Sequence, residues 1–438
     1  MDLKELDKEF ALVGATVIDG TGSPPKKDTT IIVKEVEAQV FPERTDLRRL
    51  SRGKEALRYG VISEIGNKDA VKLDNIRQVD ASGLFVMPGL IDCHVHFGGS
   101  VTDVPLDRWF TPKYLKAIRS TSNAQKILDW GFTTVRGCGS VYDIDLKKAI
   151  EEGTLIGPRI LSSGRGICRT GGEQDIRRDI YDLPDEFMDE FYSGRRCDGV
   201  EELRKEVRRM LRQGVDFIKC WVSGGGFWYR DSDKDTQFTM EELRVIVNEA
   251  NMLHVPVAFH CLNIESIKMA VTLGVRTIEH CYVGEGELGE EICKTMVEKN
   301  IFIDPTLSSY YAGKVGELLI TEPRAPSALK FWKLALRSGV KYIMGSDVWG
   351  EPITPFGEYG MGEMKLRVDV LGMTPMEVIV SATKTASEAL GIQDKVGTIE
   401  KGKIADLLIV KANPVENIDS LGNKDNILHV IREGRLIR

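Results

Sequence analysis

Short apolar runs separated by amphipathic stretches recur along most of this chain, and their spacing predicts strands alternating with helices. Apolar, β-branched runs fall at 86–96, 133–138, 159–163, 217–222, 255–261, 277–282, 301–307 and 342–347. That makes eight strand candidates. Helical segments lie between them. Thr239-Met-Glu-Glu242 forms a capping box ahead of Leu243, Ile246, Val247 and Ala250 at helical spacing. Thr374-Pro-Met-Glu377 is another, with proline at the first helical position and Gly391 past the last turn. The ends differ: 10–18, 29–33, 61–65, 396–399, 405–410 and 428–437 read as strands without intervening helices. The expected fold is therefore α/β: a TIM (β/α)8 barrel over 86–393, with a small β-sandwich domain built from 1–85 and 394–438. The arginine- and glutamate-rich stretch 41–58 reads as a solvated excursion.

Composition narrows the function. In 438 residues the hydrophobic share of 42% and charged share of 29% are those of an ordinary globular protein. The net charge of -7 supplies no field for nucleic acid or an anionic membrane, so the expected partner is a small-molecule substrate. No apolar run reaches membrane-span length and the first ten residues lack the apolar core of a secretion signal, so a cytoplasmic location is expected. Eight scattered cysteines without a CxxC pair read as reduced core residues. A homo-oligomer is expected.

The chemistry lies at strand ends. Val86-Met-Pro-Gly-Leu-Ile-Asp-Cys-His-Val-His96 closes on His94 and His96, two residues apart, so both imidazoles leave one face of a strand and can converge on one ion. Later strands end in Lys219, His260, His280 and Asp347. Four imidazoles, a lysine and a carboxylate suffice for two divalent ions if Lys219 takes up carbon dioxide as a carbamate, since an ammonium would repel a cation. Zinc is the expected metal, although imidazole and carboxylate also suit manganese, cobalt or iron. Two ions sharing a water would bring its pKa from about 15.7 towards 7 and present hydroxide, with Asp347 as general base and then general acid.

These residues resemble the amidohydrolase superfamily over nearly the whole chain, in Pro88-Gly-Leu-Ile-Asp-Cys-His-Val-His96, Gly345-Ser-Asp347 and Gly397-Thr-Ile-Glu-Lys-Gly-Lys-Ile-Ala-Asp406-Leu. Thr170-Gly-Gly, Cys197-Asp-Gly-Val-Glu, Asp216-Phe-Ile-Lys219, Ser223-Gly-Gly and Asp304-Pro-Thr-Leu307 are most similar to its imidazolonepropionase-like and prolidase-like branch of metal-dependent dipeptidases and acyl-amino-acid hydrolases. The resemblance implies that His94, His96 and Asp347 hold a first metal, His260 and His280 a second, and carbamylated Lys219 bridges them. It further implies cleavage of the amide bond of a dipeptide or N-acyl amino acid. Where the branch carries a histidine after Thr170-Gly-Gly172, this chain has Glu173, expected to favour a cationic substrate group. Tyr229, with Arg230, is expected to contact the substrate and Tyr229 to assist catalysis. Tyr310 and Tyr311 have the same standing as substrate contacts, with barrel capping the commoner role. His254 and His429 are expected to be structural. Rival readings are a one-metal cyclic amide hydrolase of the imidazolonepropionase type, a deaminase, and a barrel that binds without turnover. Asn263, where a deaminase places its glutamate, counts against deamination.

Overall fold

A computed structural model of the chain describes residues 9–37, 58–67, 71–73, 75–101, 111–175, 194–225, 232–282, 287–312, 319–320 and 325–438. The excursion 41–57, Tyr229 and Arg230 lie outside the described residues.

The chain ends meet in one sheet. Strands β1 (Phe10–Val17), β2 (Lys26–Glu37), β3 (Arg58–Asn67), β4 (Arg77–Asp80) and β5 (Phe85–Pro88) come from the first part of the chain. Three later strands, defined below as β18, β19 and β20, complete a sheet of order β20-β19-β18-β5-β1-β2-β3, with β4 on β1. The two ends join where β5 lies antiparallel to β18, Leu407 opposite Pro88 and Val410 opposite Phe85. Phe10, Leu12, Val33, Val86, Leu407 and Ile409 bury one face of this sheet.

The single strand expected over 86–96 is in fact two, β5 and β6 (Leu90–Val95), parted at Gly89, where any side chain would collide with Thr133. The first half joins the terminal sheet and the second pairs with β7 (Phe132–Gly137), which pairs in turn with β8 (Arg159–Ser162), all parallel. A second parallel sheet is ordered β10-β9-β11-β12-β13-β14-β17. Its strands are β9 (Gly166–Cys168), β10 (Gly194–Arg196), β11 (Ile218–Trp221), β12 (Val257–His260), β13 (Thr277–Glu279), β14 (Phe302–Asp304) and β17 (Lys341–Tyr342). Between the last two, β15 (Tyr311–Ala312) and β16 (Leu319–Ile320) form a short antiparallel pair. After β17 come β18 (Leu407–Val410), β19 (Ile427–Arg432) and β20 (Arg435–Leu436). The strand expected at 396–399 is absent: Val396 and Ile399 are buried in turns, packing without a ladder.

Single hydrogen bonds join the two parallel sheets. Cys93 N–H donates to the Met344 carbonyl at 2.7 Å, and Asp216 to Ser162 at 2.8 Å. Helices cross between the strands. Met240–Asn251 starts on the expected Thr239–Glu242 capping box and buries Leu243, Ile246, Val247 and Ala250, each fully buried large apolar side chain contributing roughly 1.5–3 kcal/mol. The helices 143–152, 199–213 and 264–273 end on Gly153, Gly214 and Gly274 in the left-handed conformation, which glycine alone adopts without cost. No helix among the described residues is long and apolar enough to cross a membrane.

Candidate metal centre

The side chains expected as ligands stand at the carboxyl ends of parallel strands, and the structure brings them together. His94 Nε2 and His96 Nε2 lie 3.3 and 3.2 Å from Asp347 Oδ1. The His94 ring is centred 5.3 Å from that of His280, and His260 is 4.6 Å from His280. One ligand atom each from His94, His280 and Asp347 fall within 4.8 Å of one another. Lys219, on β11 beside β12, belongs to the same cluster, since its charge acts on His94, His260 and His280. Its Nζ is fully buried, has no hydrogen-bond partner, and lies 5.6 Å from the centre of the Trp221 ring. An ammonium left that way costs several kcal/mol.

The ring nitrogens are oriented for coordination. His96 Nδ1 lies 2.9 Å from the Gly139 carbonyl, which can only accept, so Nδ1 donates there and Nε2 is turned towards Asp347. His280 Nδ1 is held by Thr306 Oγ1 at 2.6 Å. His260 Nε2 is buried and unpartnered. Burial pushes His280 down to about 3, and burial together with His280 holds His260 well below its ordinary value; both rings are neutral at pH 7, the form that binds a cation. Burial alone would raise Asp347, but His94 and its contact with His96 hold it well below the usual carboxylate range. It is therefore ionised.

Backbone strain marks the same place. His280, Cys281, Thr306 and Asp347 have φ of 64°, 49°, 46° and 59°, a conformation costing non-glycine residues roughly 1–3 kcal/mol each.

Beneath the imidazoles lies a layer of buried charge that sequence reasoning missed. His94 Nδ1 faces Glu279 Oε2 at 3.1 Å and Asp304 Oδ2 at 3.5 Å. Arg136 grips both oxygens of Glu279 at 2.8 Å, holding that carboxylate low against burial. Arg367, wholly buried, reaches Glu363 at 2.9 Å and Asp304 at 3.5 Å. Glu363 in turn accepts from the Ser308 N–H and hydroxyl, and the neighbouring Ser309 Oγ donates to Asp347 Oδ2 at 3.0 Å. Asp92 accepts from Ser346 Oγ at 2.6 Å and from the amides of His94 and Ser346, tying β6 to the segment carrying Asp347. Glu279 and Asp304 stood inside motifs already singled out, in Thr277-Ile-Glu-His and Asp304-Pro-Thr-Leu. Arg136 stood unremarked in an apolar run.

Other expected contacts fall elsewhere. Glu173 is buried, and its carboxylate accepts from the Gly225 N–H at 3.0 Å and from Gln174 at 3.1 Å, which ties it to the loop after β11. Asn263 caps the helix Ile264–Leu273, accepting from Ser266 at 2.8 Å. Tyr310 packs edge-on against Trp332 at 5.2 Å, and Tyr311 is likewise buried. His429 meets the Arg438 carbonyl at 3.1 Å, and His254 is exposed at the amino-terminal side of β12. All eight cysteines are unpaired and buried.

The donor set fits divalent cations: the neutral imidazoles of His260 and His280, the ionised carboxylate of Asp347, and buried nitrogens on His260 and Lys219 that no described protein group satisfies.

With this geometry in view, likeness to known proteins adds to the picture. The model of the amidohydrolase family matches residues 85–437. An ochratoxinase from Aspergillus niger is 31% identical over 379 residues, covering 81% of this chain and 75% of that protein. An imidazolonepropionase from Rhizobium rhizogenes is 24% identical over 409 residues, covering 85% and 90%. Among solved structures, a prolidase complexed with N-methylphosphonate-L-proline superposes with a TM-score of 0.81 at 30% identity, covering 98% of this chain and 99% of that one.

Proposed function

This chain belongs to the amidohydrolase family, hydrolases of carbon–nitrogen amide bonds, and on that premise we propose that it cleaves a dipeptide or an N-acyl amino acid at a pair of divalent ions, zinc in the first place. His94, His96 and Asp347 would hold one ion, His260 and His280 the other, and Lys219 both, as a carbamate. That adduct forms when the neutral amine of Lys219 adds to carbon dioxide and loses a proton. Bound divalent ions supply Lewis acidity, bringing the pKa of water towards neutrality and polarising a carbonyl.

The chain's own groups do the rest. Asp347 Oδ1 is directed at His94 and His96 while Ser309 Oγ holds Oδ2, so the carboxylate cannot turn away. Ionised and desolvated, it accepts a proton from the attacking water and returns it to the leaving amine. His96 and His280 keep their orientation through Gly139 and Thr306.

The observation that carries this reading is Lys219: a wholly buried amine with no partner, among imidazoles. The buried charge agrees with it. Glu279 is paired with Arg136, and Asp304 and Glu363 with Arg367, while Asp347 meets imidazoles and Asp92 meets a hydroxyl and amides, so five buried carboxyl groups share two guanidinium groups. A closed (β/α)8 barrel over 86–393 is supported by the bonds joining β6 to the Asp347 segment and β8 to Asp216, two residues before β11. A terminal β-sandwich domain over 1–85 and 394–438 is supported by the β5–β18 pairing, and a cytoplasmic setting by eight buried thiols.

The test is a metal count by plasma mass spectrometry on the zinc-loaded protein, with turnover of a panel of dipeptides, Xaa-Pro dipeptides and N-acyl amino acids. Two ions per chain and amide cleavage are expected. One ion per chain would favour a one-metal cyclic amide hydrolase, and a loaded protein without turnover on any amide would defeat the proposal.

A further inference from the structure

At the opposite end of the strands that carry His260 and His280 lies a second cleft, of about 380 Å³, within the range of small-ligand sites. Asn251, His254, Arg276, Lys299 and Asn300 supply its polar lining, and among the described residues no carboxylate lines it. On a chain of net charge -7, two cations without an acid in the same wall stand out.

Both cations donate to backbone carbonyls, although the charge of Glu388 also acts on Arg276. Lys299 Nζ donates to the carbonyls of Val271 and Thr272 at 2.9 and 3.0 Å. Arg276 donates to those of Ala389 and Glu388 at 3.1 and 2.5 Å, with its guanidinium 4.6 Å from the centre of the Phe302 ring. Lysine has three N–H donors and arginine five, so these bonds leave donor capacity on each. Three helices end here, and their carbonyl ends oppose an anion. Each such end carries only about half a charge, however, and Lys299 already covers the carbonyls of one of them.

The turns that border the cleft give a second, independent sign. After the helices 143–152, 199–213 and 264–273 the left-handed position is glycine, as it is at Gly339. At the two turns whose side chains enter the cleft it is His254, φ 57°, and Asn300, φ 52°. These turns carry a side chain where the backbone favours none, and both side chains can hydrogen-bond. Next to them Met252, Leu253 and Val297 are 63%, 57% and 46% exposed, apolar surface within three residues of the polar lining.

We propose that this cleft binds a small organic oxyanion, a carboxylate or phosphate with a short apolar body, with Arg276 and Lys299 meeting the charge and His254 and Asn300 the oxygens. Val257 lines the cleft and His260 lies three residues further along β12, about 10 Å at the usual rise per residue, so the cleft is separate from the metal centre.

The experiment follows the ring proton signals of His254, one of six histidines, while the metal-free protein is titrated with hexanoate and, separately, inorganic phosphate. A saturable shift with either probe is expected, hexanoate marking a carboxylate and phosphate a phosphate ester. Lys299→Met and Arg276→Met should weaken binding at least tenfold. His254→Gly and Asn300→Gly, the latter followed by the His254 signal and the former by calorimetry, should weaken it while leaving Tm unchanged or higher, since glycine suits both turns. Absence of a saturable shift with both probes, or binding that survives Lys299→Met, would overturn the proposal. Because the metal-free protein is used, neither outcome depends on what the metal centre does.

Discussion

Two buried side chains decide what single substitutions should do. Lys219→Met replaces an amine that has no hydrogen-bond partner with an apolar chain of similar volume, so no hydrogen bond is lost in the metal-free protein, and removing a desolvated donor offsets the loss of its charge beside Glu279. We expect an unchanged or higher Tm without metal and a fall from two bound ions to one or none by elemental analysis. Retention of two ions would exclude Lys219 as a ligand. Asp143 makes a different case. Both its oxygens are buried without a hydrogen-bond partner of good geometry, in the space a side chain at Gly137 would need, and burial pushes the carboxyl up to about 7 although Ser140 opposes it. The folded chain therefore keeps a proton there between about pH 4 and pH 7 that the unfolded chain has released, so stability declines as pH rises through that window. The loss is at most about 4 kcal/mol by the usual conversion of pKa into free energy. Asp143→Asn should flatten that part of the curve in denaturant titrations at pH 5 and pH 8. An equal slope in both proteins would show that the proton is not held.

At the scale of elements, the turns after strands matter more than the strands. Thr306 follows β14 with φ 46°, a costly setting for a β-branched residue, and its hydroxyl is the partner of His280 Nδ1. Thr306→Ser and Thr306→Ala relieve the branching equally and differ only in that hydroxyl. The serine variant should keep metal affinity and the alanine variant lose about 10- to 100-fold, the usual cost of removing such a partner. Equal affinities, measured by competition with a chelating dye, would mean that Thr306 does not orient the ring. The same contrast explains what was legible in the sequence. The ligands are legible because each sits at the end of an apolar run and His94 and His96 declare themselves by local spacing. The Thr239 and Thr374 capping boxes are local too, and both form, although the helix after Thr374 breaks at Ala382–Thr383 before resuming at Lys384. β4, β9 and β10 are three or four residues long and carry glycine or charge, so hydropathy leaves no trace of them. Arg136 and the reach of Arg367 to Asp304 leave no local trace because the partners, Glu279 and Asp304, lie 143 and 63 residues away.

On the scale of the whole molecule, the metal centre is also where excess charge collects. Asp304 is pushed up to about 6 and Asp92 to about 7 by burial, and both lie in the layer that Arg136 and Arg367 leave with negative charge in excess. A divalent ion that binds only the folded chain adds stability in proportion to the logarithm of its concentration over Kd, about 2.7 kcal/mol at a hundredfold excess. Chelation should therefore lower Tm by several degrees at pH 7.5. In the chelated protein two effects oppose each other as pH falls through 7 and 6: the folded chain takes up protons on Asp92 and Asp304, while the unfolded chain takes up protons on His260 and His280 that the folded chain keeps neutral, so its Tm should change little in that range. The Tm of the loaded protein should fall there, because protons compete with the ions for the same ligands. The gap between loaded and chelated protein is thus expected to be widest near pH 8 and to close towards pH 6 in differential scanning fluorimetry. A Tm indifferent to chelator at every pH would mean that the buried carboxylates are balanced without metal, and that Lys219 has found a partner of its own.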